Sequence, residues 1–290
     1  FIIMFYLIDK PLEYTSFDIL RVLRKKLNIK KMWHTGTLDP LATGGLLIAV
    51  WNYTKLIPYF EKDTKEYEFS VNFDGISDSY DLWTPVNYIS KSKMDLEKNN
   101  ITIEKINDLL KNKFTWEIKQ IPPKYSALKI NWRKAIDMIV WWNTDFEMKE
   151  RTCFIYEIEL LSYFYPCDKF RAKVSAWTYI RTIAYDLWTF FWTWAYVTEL
   201  RRTKVWNLDL GSSQTLENFD KDKFFDLKLL FKNKNFIELD SEVLYELNLW
   251  KKVEIKKDYK IGEEMFVFDW KNVTNIVVYD WVFLIPKRKI

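Results

Sequence analysis

Residues Met32 to Gly45 read M-W-H-T-G-T-L-D-P-L-A-T-G-G and hold the chain's only histidine, His34, an Asp-Pro pair at Asp39 and Pro40, and three of its six glycines. Proline disfavours the helical region for the residue before it, so Asp39 is expected to be extended, its carboxylate carried on a stiff turn. A lone carboxylate presented in this way is a candidate nucleophile or base. The same residues also read as ordinary turn chemistry, with the aspartate capping nearby backbone N–H groups, and spacing alone does not separate the two readings.

Upstream, an apolar strand over Phe1 to Ile8 ends at Lys10-Pro11, and Thr15 with Asp18 three residues on opens a helix as a loose capping box. Ile19, Leu23 and Leu27 then recur every four residues. The helix and its exit carry Arg21, Arg24, Lys25, Lys26, Lys30 and Lys31 without an intervening acid, either a solvated face or a phosphate-contact stripe. Downstream, Tyr67, Phe69, Val71 and Phe73 alternate with Glu68, Ser70 and Asn72, the pattern of a half-buried strand. Ser77 to Asp81 reads S-D-S-Y-D, and a helix is expected after Thr102. Gln120 to Arg133 contains a double proline and is expected to be an irregular surface segment. Arg171 to Ser175 reads as a strand and Tyr179 to Leu187 as a helix start, followed by Leu200-Arg201-Arg202.

These segments, in this order, resemble the TruB family of tRNA pseudouridine synthases. The first stretch follows the family's G-H-T-G-T-L-D-P-x-A-x-G, the double-proline segment its Q-x-P-P-x-Y-S-A-x-K, and Tyr179-Ile180-Arg181 its T-Y-I-R. The family's opening K-P-x-G-x-T-S is also present, with Glu13 in place of the glycine. The resemblance implies that Asp39 is the catalytic aspartate, Arg181 its partner and Tyr67 the active-site tyrosine. It further implies that Tyr179 lines the uridine pocket, Leu200 contacts the nucleotide, and His34 stacks into the space that the extruded base leaves. The implied activity is isomerisation of the T-loop uridine of tRNA, position 55, to pseudouridine, with no cofactor or metal. A guide-RNA-dependent synthase of a ribonucleoprotein and a non-catalytic tRNA-folding chaperone are the alternatives.

The fold implied is α+β: a pseudouridine synthase domain with a mixed, largely antiparallel sheet and flanking helices over residues 1–220, and a small PUA-like β-barrel over residues 221–290. Short strands are expected there at Lys252 to Ile255, Met265 to Phe268 and Thr274 to Tyr279. The partner expected is the T-arm of tRNA, bound by a monomer. The 49% hydrophobic content suffices for a core, and the net charge of +4 is matched by residues 1–60 alone, with eight Lys and Arg against four acids. Cys153 and Cys167 fit no metal spacing and read as reduced thiols, and the apolar start is far short of the roughly 20 residues of a membrane span, so a cytoplasmic protein is expected.

One feature of the composition contradicts a globular protein. Glycine averages about 7% of residues, yet six glycines stand here beside fifteen tryptophans in 290 residues. Trp33, Trp51, Trp116, Trp132, Trp142, Trp177, Trp188, Trp192, Trp194 and Trp206 fall where the family has glycine, and Trp250, Trp270 and Trp281 fall at turn positions in the tail. Glycine and tryptophan together number 21, the normal glycine level, as expected if a UGA codon read as glycine had been translated as tryptophan.

Overall fold

A computed structural model describes residues 4–60, 64–98, 101–142, 146–232, 234–255, 259–268 and 273–290; the start of the expected first strand and Trp270 lie outside them. The chain runs through β1 (Phe5–Lys10), α1 (Ser16–Leu27), β2 (Met32–His34) and β3 (Ala42–Val50), then a 3₁₀ segment (Trp51–Tyr59) and β4 (Lys65–Asn72). A short ladder of β5 (Gly75–Ile76) and β6 (Asn87–Tyr88) precedes α2 (Lys91–Lys98), α3 (Ile103–Lys113) and β7 (Trp116–Gln120). The small hairpin of β8 (Lys129–Ile130) and β9 (Arg133–Lys134) leads to α4 (Ala135–Trp142), β10 (Arg151–Ser162), β11 (Cys167–Val174), α5 (Ile180–Phe191), β12 (Tyr196–Val205) and β13 (Leu208–Asp209). The tail holds α6 (Leu227–Leu230), β14 (Asn235–Glu238), α7 (Ser241–Asn248), β15 (Val253–Glu254), β16 (Glu264–Phe268), β17 (Val273–Tyr279) and β18 (Phe283–Lys289).

The fold is α+β, as expected. The main sheet has the strand order β1-β3-β12-β4-β11-β10-β7, with β2 beside β3 and β13 beside β12, and only the β3–β12 pairing is parallel. At the β1–β3 margin the sheet is buried on both faces. Tyr6, Ile8, Leu46 and Ile48 pack under Ile19, Leu20 and Leu23 of α1, while Phe5, Leu7, Leu47 and Ala49 face Phe266, Phe268, Val273 and Ile276 of the tail. This explains why β1 and β3 read as continuous apolar runs where the one-sided β4 alternates. Burying the three α1 side chains contributes about 4.5–9 kcal/mol at ~1.5–3 kcal/mol each. α1 starts at a full capping box: Thr15 Oγ1 accepts the Asp18 N–H, and Asp18 Oδ2 accepts the Thr15 N–H.

The tail's five strands form a curled half-barrel in the order β14-β16-β17-β18-β15. Alternation along β16 decides its two contacts, because Phe266 and Phe268 meet the main sheet while Met265 and Val267 pack with Leu244 and Leu247 of α7. One expectation needs correction. The segment from Gln120 to Arg133 is irregular in its middle but not at its ends: Gln120 is the buried last residue of β7, and β8 and β9 pair across Asn131 and Trp132.

Positive φ angles fall on an unusual set of residues. Among the described residues twelve besides glycine have φ between 47° and 78°, and eight of them are tryptophan: Trp51, Trp116, Trp132, Trp177, Trp192, Trp206, Trp250 and Trp281. Such a conformation costs a non-glycine residue of order 1–3 kcal/mol. Eight of them together reach about 8–24 kcal/mol, against the ~5–15 kcal/mol that holds a domain folded.

Candidate active site

Asp39 lies in the loop between β2 and β3, and its neighbours are clamped by the end of β1, the turn that follows it and the first residue of α1. Ser16 Oγ donates to the carbonyl of Leu38 (3.0 Å) and accepts the Leu38 N–H (2.8 Å). On the other side, the carbonyl of Pro40 receives the Glu13 N–H (2.9 Å) and the Lys10 ammonium (3.2 Å). Lys10 is fully buried and donates as well to the carbonyls of Pro11 (2.9 Å) and Tyr14 (2.6 Å). Burial pushes Lys10 down to about 8, against the upward pull of the Asp39 charge. Glu13 reaches Pro40 from a φ of 66°, so it adopts the backbone of the glycine it replaces. The Ala42 N–H closes the turn on the Asp39 carbonyl at 3.0 Å. The expected stiff presentation therefore has a cause: both peptide neighbours of Asp39 are bonded to the stretch from Lys10 to Ser16 that joins β1 to α1.

Opposite stands Arg181, on the first turn of α5 and 3% exposed. Its Nη1 donates to the carbonyl of Ser79 (2.8 Å) and Nη2 to that of Tyr125 (3.0 Å). With both ends of the fork fixed, Nε comes 3.0 Å from Asp39 Oδ2 and 3.5 Å from Asp81 Oδ2. The Nε–H is not aimed along either contact, so the pairing is ionic and not hydrogen-bonded. Burial raises the Asp81 carboxyl above the usual carboxylate range despite Arg181, while Ser79 Oγ and the Trp83 N–H bind its other oxygen. The Asp39 side chain keeps a third of its surface open, whereas Asp81 keeps a tenth. Of the two carboxylates only Asp39 can reach a substrate.

The remaining candidates sit on the elements that flank the Asp39 loop and Arg181. Tyr179 sits just before α5, its N–H and carbonyl both bonded to the amide of Gln120 (3.0 and 3.2 Å), and burial raises its phenol. Tyr67 projects from β4, 7% exposed, with Arg202 Nη1 3.5 Å from its hydroxyl. Arg202, fully buried on β12, also donates to the carbonyls of Gly45 (2.6 Å) and Gly36 (3.1 Å), so it ties Tyr67 to both flanks of the Asp39 loop. The β3–β12 register sets this out: Leu200 is opposite Ala42 and Arg202 opposite Gly44. Gly44 has φ 102°, and a Cβ there would lie 2.3 Å from the Arg202 carbonyl oxygen, so the two strands pair only because that position is glycine. His34 ends β2 with its Nδ1 buried and unpartnered, and burial, then the Arg202 charge, pushes its imidazole down to about 4. The Trp33 indole stacks on it at 5.2 Å.

Sequence reasoning had not singled out Asp81, Arg202, Lys10 or Gln120 as site residues. Asp81 ends the quoted S-D-S-Y-D segment and Arg202 the L-R-R, but the signal that marks them is charge without exposure, which appears only once the fold is known.

A model of the N-terminal domain of TruB family pseudouridylate synthases matches residues 24–180. Among similar proteins, tRNA pseudouridine synthase B of Endomicrobium trichonymphae is 39% identical over 214 residues, 74% of this chain and 90% of its own. The Clostridium tetani protein of that name is 36% identical over 213 residues (73% and 71%), and that of Mycoplasma mobile 34% over 273 residues (93% and 88%). A chain in the crystal structure of a Cbf5–Nop10–Gar1 complex superposes with a TM-score of 0.66 at 18% identity, covering 99% of this chain and 84% of that one. A chain of an H/ACA ribonucleoprotein bound to a substrate RNA containing 2′-deoxyuridine gives 0.65 at 18%, with the same coverage.

Proposed function

Because the chain belongs to the TruB family of pseudouridylate synthases, we propose that it isomerises the T-loop uridine of tRNA to pseudouridine with Asp39 as the catalytic carboxylate. The observation that carries this reading is the one-third open Asp39 carboxylate, clamped on both sides and 3.0 Å from a buried guanidinium. The reaction is an internal rearrangement with no net oxidation. The C1′–N1 bond of uridine breaks, the uracil turns, a C1′–C5 bond forms, and the proton on C5 leaves while N1 takes one up. Asp39 serves either by adding to C1′ or by removing the C2′ proton, and both roles need it ionised and held still. Arg181 holds it in place.

Tyr67 stacks on the uracil and assists loss of the C5 proton. Tyr179 and Leu200 line the nucleotide pocket, and His34 fills the space from which the base is extruded, a step that costs a few kcal/mol. Residues 1–220 form the catalytic unit in this reading, and residues 221–290 grip the RNA outside the T-loop.

The test is release of tritium from tRNA labelled at uridine C5, with the purified full chain and with Asp39→Asn. Release by the parent and loss of at least ~10²-fold in the variant, at unchanged tRNA binding, is the expected result, on the scale of losing a group that acts on the reacting atoms. An Asp39→Asn chain that still releases tritium overturns the role of Asp39. A parent that anneals tRNA without releasing tritium overturns the enzyme in favour of a folding chaperone.

A further inference from the structure

The tryptophans at positive φ occupy sites whose backbone geometry belongs to glycine. Asn131 and Trp132 are the two loop residues of the β8–β9 hairpin, with φ 47° and 72°. Positive φ at both positions is the type I′ turn, for which Asn-Gly is the preferred pair. Trp206 opens the two-residue loop between Val205 of β12 and its partner Leu208 of β13 with φ 59°, whereas Asn207 is not at positive φ, the pattern of a type II′ turn with glycine first. Trp250 follows the end of α7 with φ 63°; its N–H donates to the Leu247 carbonyl and the Lys251 N–H to that of Glu246. Those two bonds make a Schellman motif, whose left-handed residue is usually glycine. Trp192 directly follows the last residue of α5 with φ 55°, a left-handed helix end of the kind Asn28 makes after α1.

The indoles gain little in return. Six of the eight are exposed, Trp132 by 93% and Trp192 by 86%. A large ring left in water recovers no burial energy to offset a strained backbone. The other two are seated: Trp51 packs against the main core, and Trp206 has its Nε1–H on the Leu230 carbonyl at 2.5 Å and its ring against Phe60 and Phe231. The other four positive-φ residues are Glu13, Asn28, Tyr80 and Asn131, and asparagine tolerates this region. Fifteen tryptophans in 290 residues would place fewer than one among twelve such sites by chance, not eight.

We infer that these eight positions are glycine in the protein as its own cell makes it, because the codon rendered here as tryptophan is UGA and that cell reads UGA as glycine. Eight separate replacements of the smallest residue by the largest, each at a strained position, would need eight mutations and eight compensations. One change in decoding produces all of them. The glycine codon GGA and UGA differ only in the first base, so a glycine tRNA that reads GGA, altered at one anticodon position, reads UGA. The reassignment extends to tryptophans with ordinary φ wherever the same codon stands. Trp33 is one to examine, since its removal would uncover the ring face of His34.

The experiment is peptide mass spectrometry on the protein purified from its native cells, covering positions 51, 116, 132, 177, 192, 206, 250 and 281. Glycine at each is the expected result; tryptophan at them overturns the inference. A second measurement needs no native source. The full chain as written and the full chain carrying Trp→Gly at the eight positions are expressed side by side and unfolded in urea. The glycine chain is expected to unfold at the higher denaturant concentration, or to fold where the other does not. Equal or lower stability of the glycine chain contradicts the backbone argument, and if neither chain folds the peptide masses decide. Neither measurement reads catalysis, so loss of the proposed activity would leave this inference standing.

Discussion

Replacing Arg181 with methionine keeps the length of the side chain and removes the cation between two carboxylates. Ser79 and Tyr125 lose the donors to their carbonyls, and Asp81, a tenth exposed, is left charged and uncompensated. Breaking a buried pair from one side costs about 3–5 kcal/mol. Asp39 adds little to that figure because its outer third is screened by water. We expect Arg181→Met to lose about 3–5 kcal/mol in urea unfolding with an unchanged m-value, and to lose tritium release by ~10²-fold or more. The informative step is the second substitution. Asp81→Asn in the Arg181→Met background removes the stranded charge, so stability should recover by at least ~1 kcal/mol. Activity should not return, because Asp39 still lacks its guanidinium. A single variant within ~0.5 kcal/mol of the parent, or a double variant whose losses simply add, would refute the shared-cation geometry.

Three further outcomes follow from the same contacts. His34 is held down to about 4 in the fold against about 6.5 in the unfolded chain. Between those values only the unfolded chain takes up the proton, so stability is lost as the pH falls through that window, by up to ~2–3 kcal/mol after allowing for its partial exposure; His34→Gln should flatten this part of the profile, and identical profiles would exclude it. Lys10→Met leaves the carbonyls of Pro11 and Tyr14 without their donor and that of Pro40 with the Glu13 N–H alone, and should cost about 2–4 kcal/mol in thermal unfolding, with tritium release falling further than stability predicts as the Asp39 loop loosens. Lys55 lies within electrostatic reach of Lys31, Arg288 and Lys289, and no acid pairs with these four among the described residues. Neutralising all four should weaken full-length tRNA more than a T-arm hairpin and lower the salt slope of binding by ~0.7–0.9 per lost phosphate contact; an unchanged slope places the RNA elsewhere.

Local chemistry made much of the fold legible. The capping box at Thr15, the alternation over Tyr67 to Phe73 and the helix after Thr102 are short-range patterns, and each has its counterpart in α1, β4 and α3. The Asp-Pro turn told that Asp39 would be held but not by what, since Lys10, Glu13 and Ser16 act on it through backbone groups that no side-chain pattern reports. Arg181 read by itself is a surface arginine; its burial depends on carbonyls at Ser79 and Tyr125, from segments far away in the chain. Asp81 and Arg202 were hidden for the same reason, because a buried charge is defined by its surroundings. The ends of the double-proline segment escaped because Gln120 is fixed by Tyr179, and because the β8–β9 turn carries tryptophan where its Asn-Gly signature would stand.

The position of β12 governs how this molecule must come into being on the ribosome. It lies between β3 and β4, two strands completed well over a hundred residues before it is synthesised. Until it emerges, the growing polypeptide holds two incomplete ladders whose facing margins are bare, a template for pairing with the wrong neighbour. Wedging one late strand between two early ones closes a very long loop, so assembly should be slow relative to the helices that flank it. Neither Leu200 nor Arg202 reaches the aspartate's loop before that moment, and a nascent fragment that stops short of β12 would be both sticky and inert.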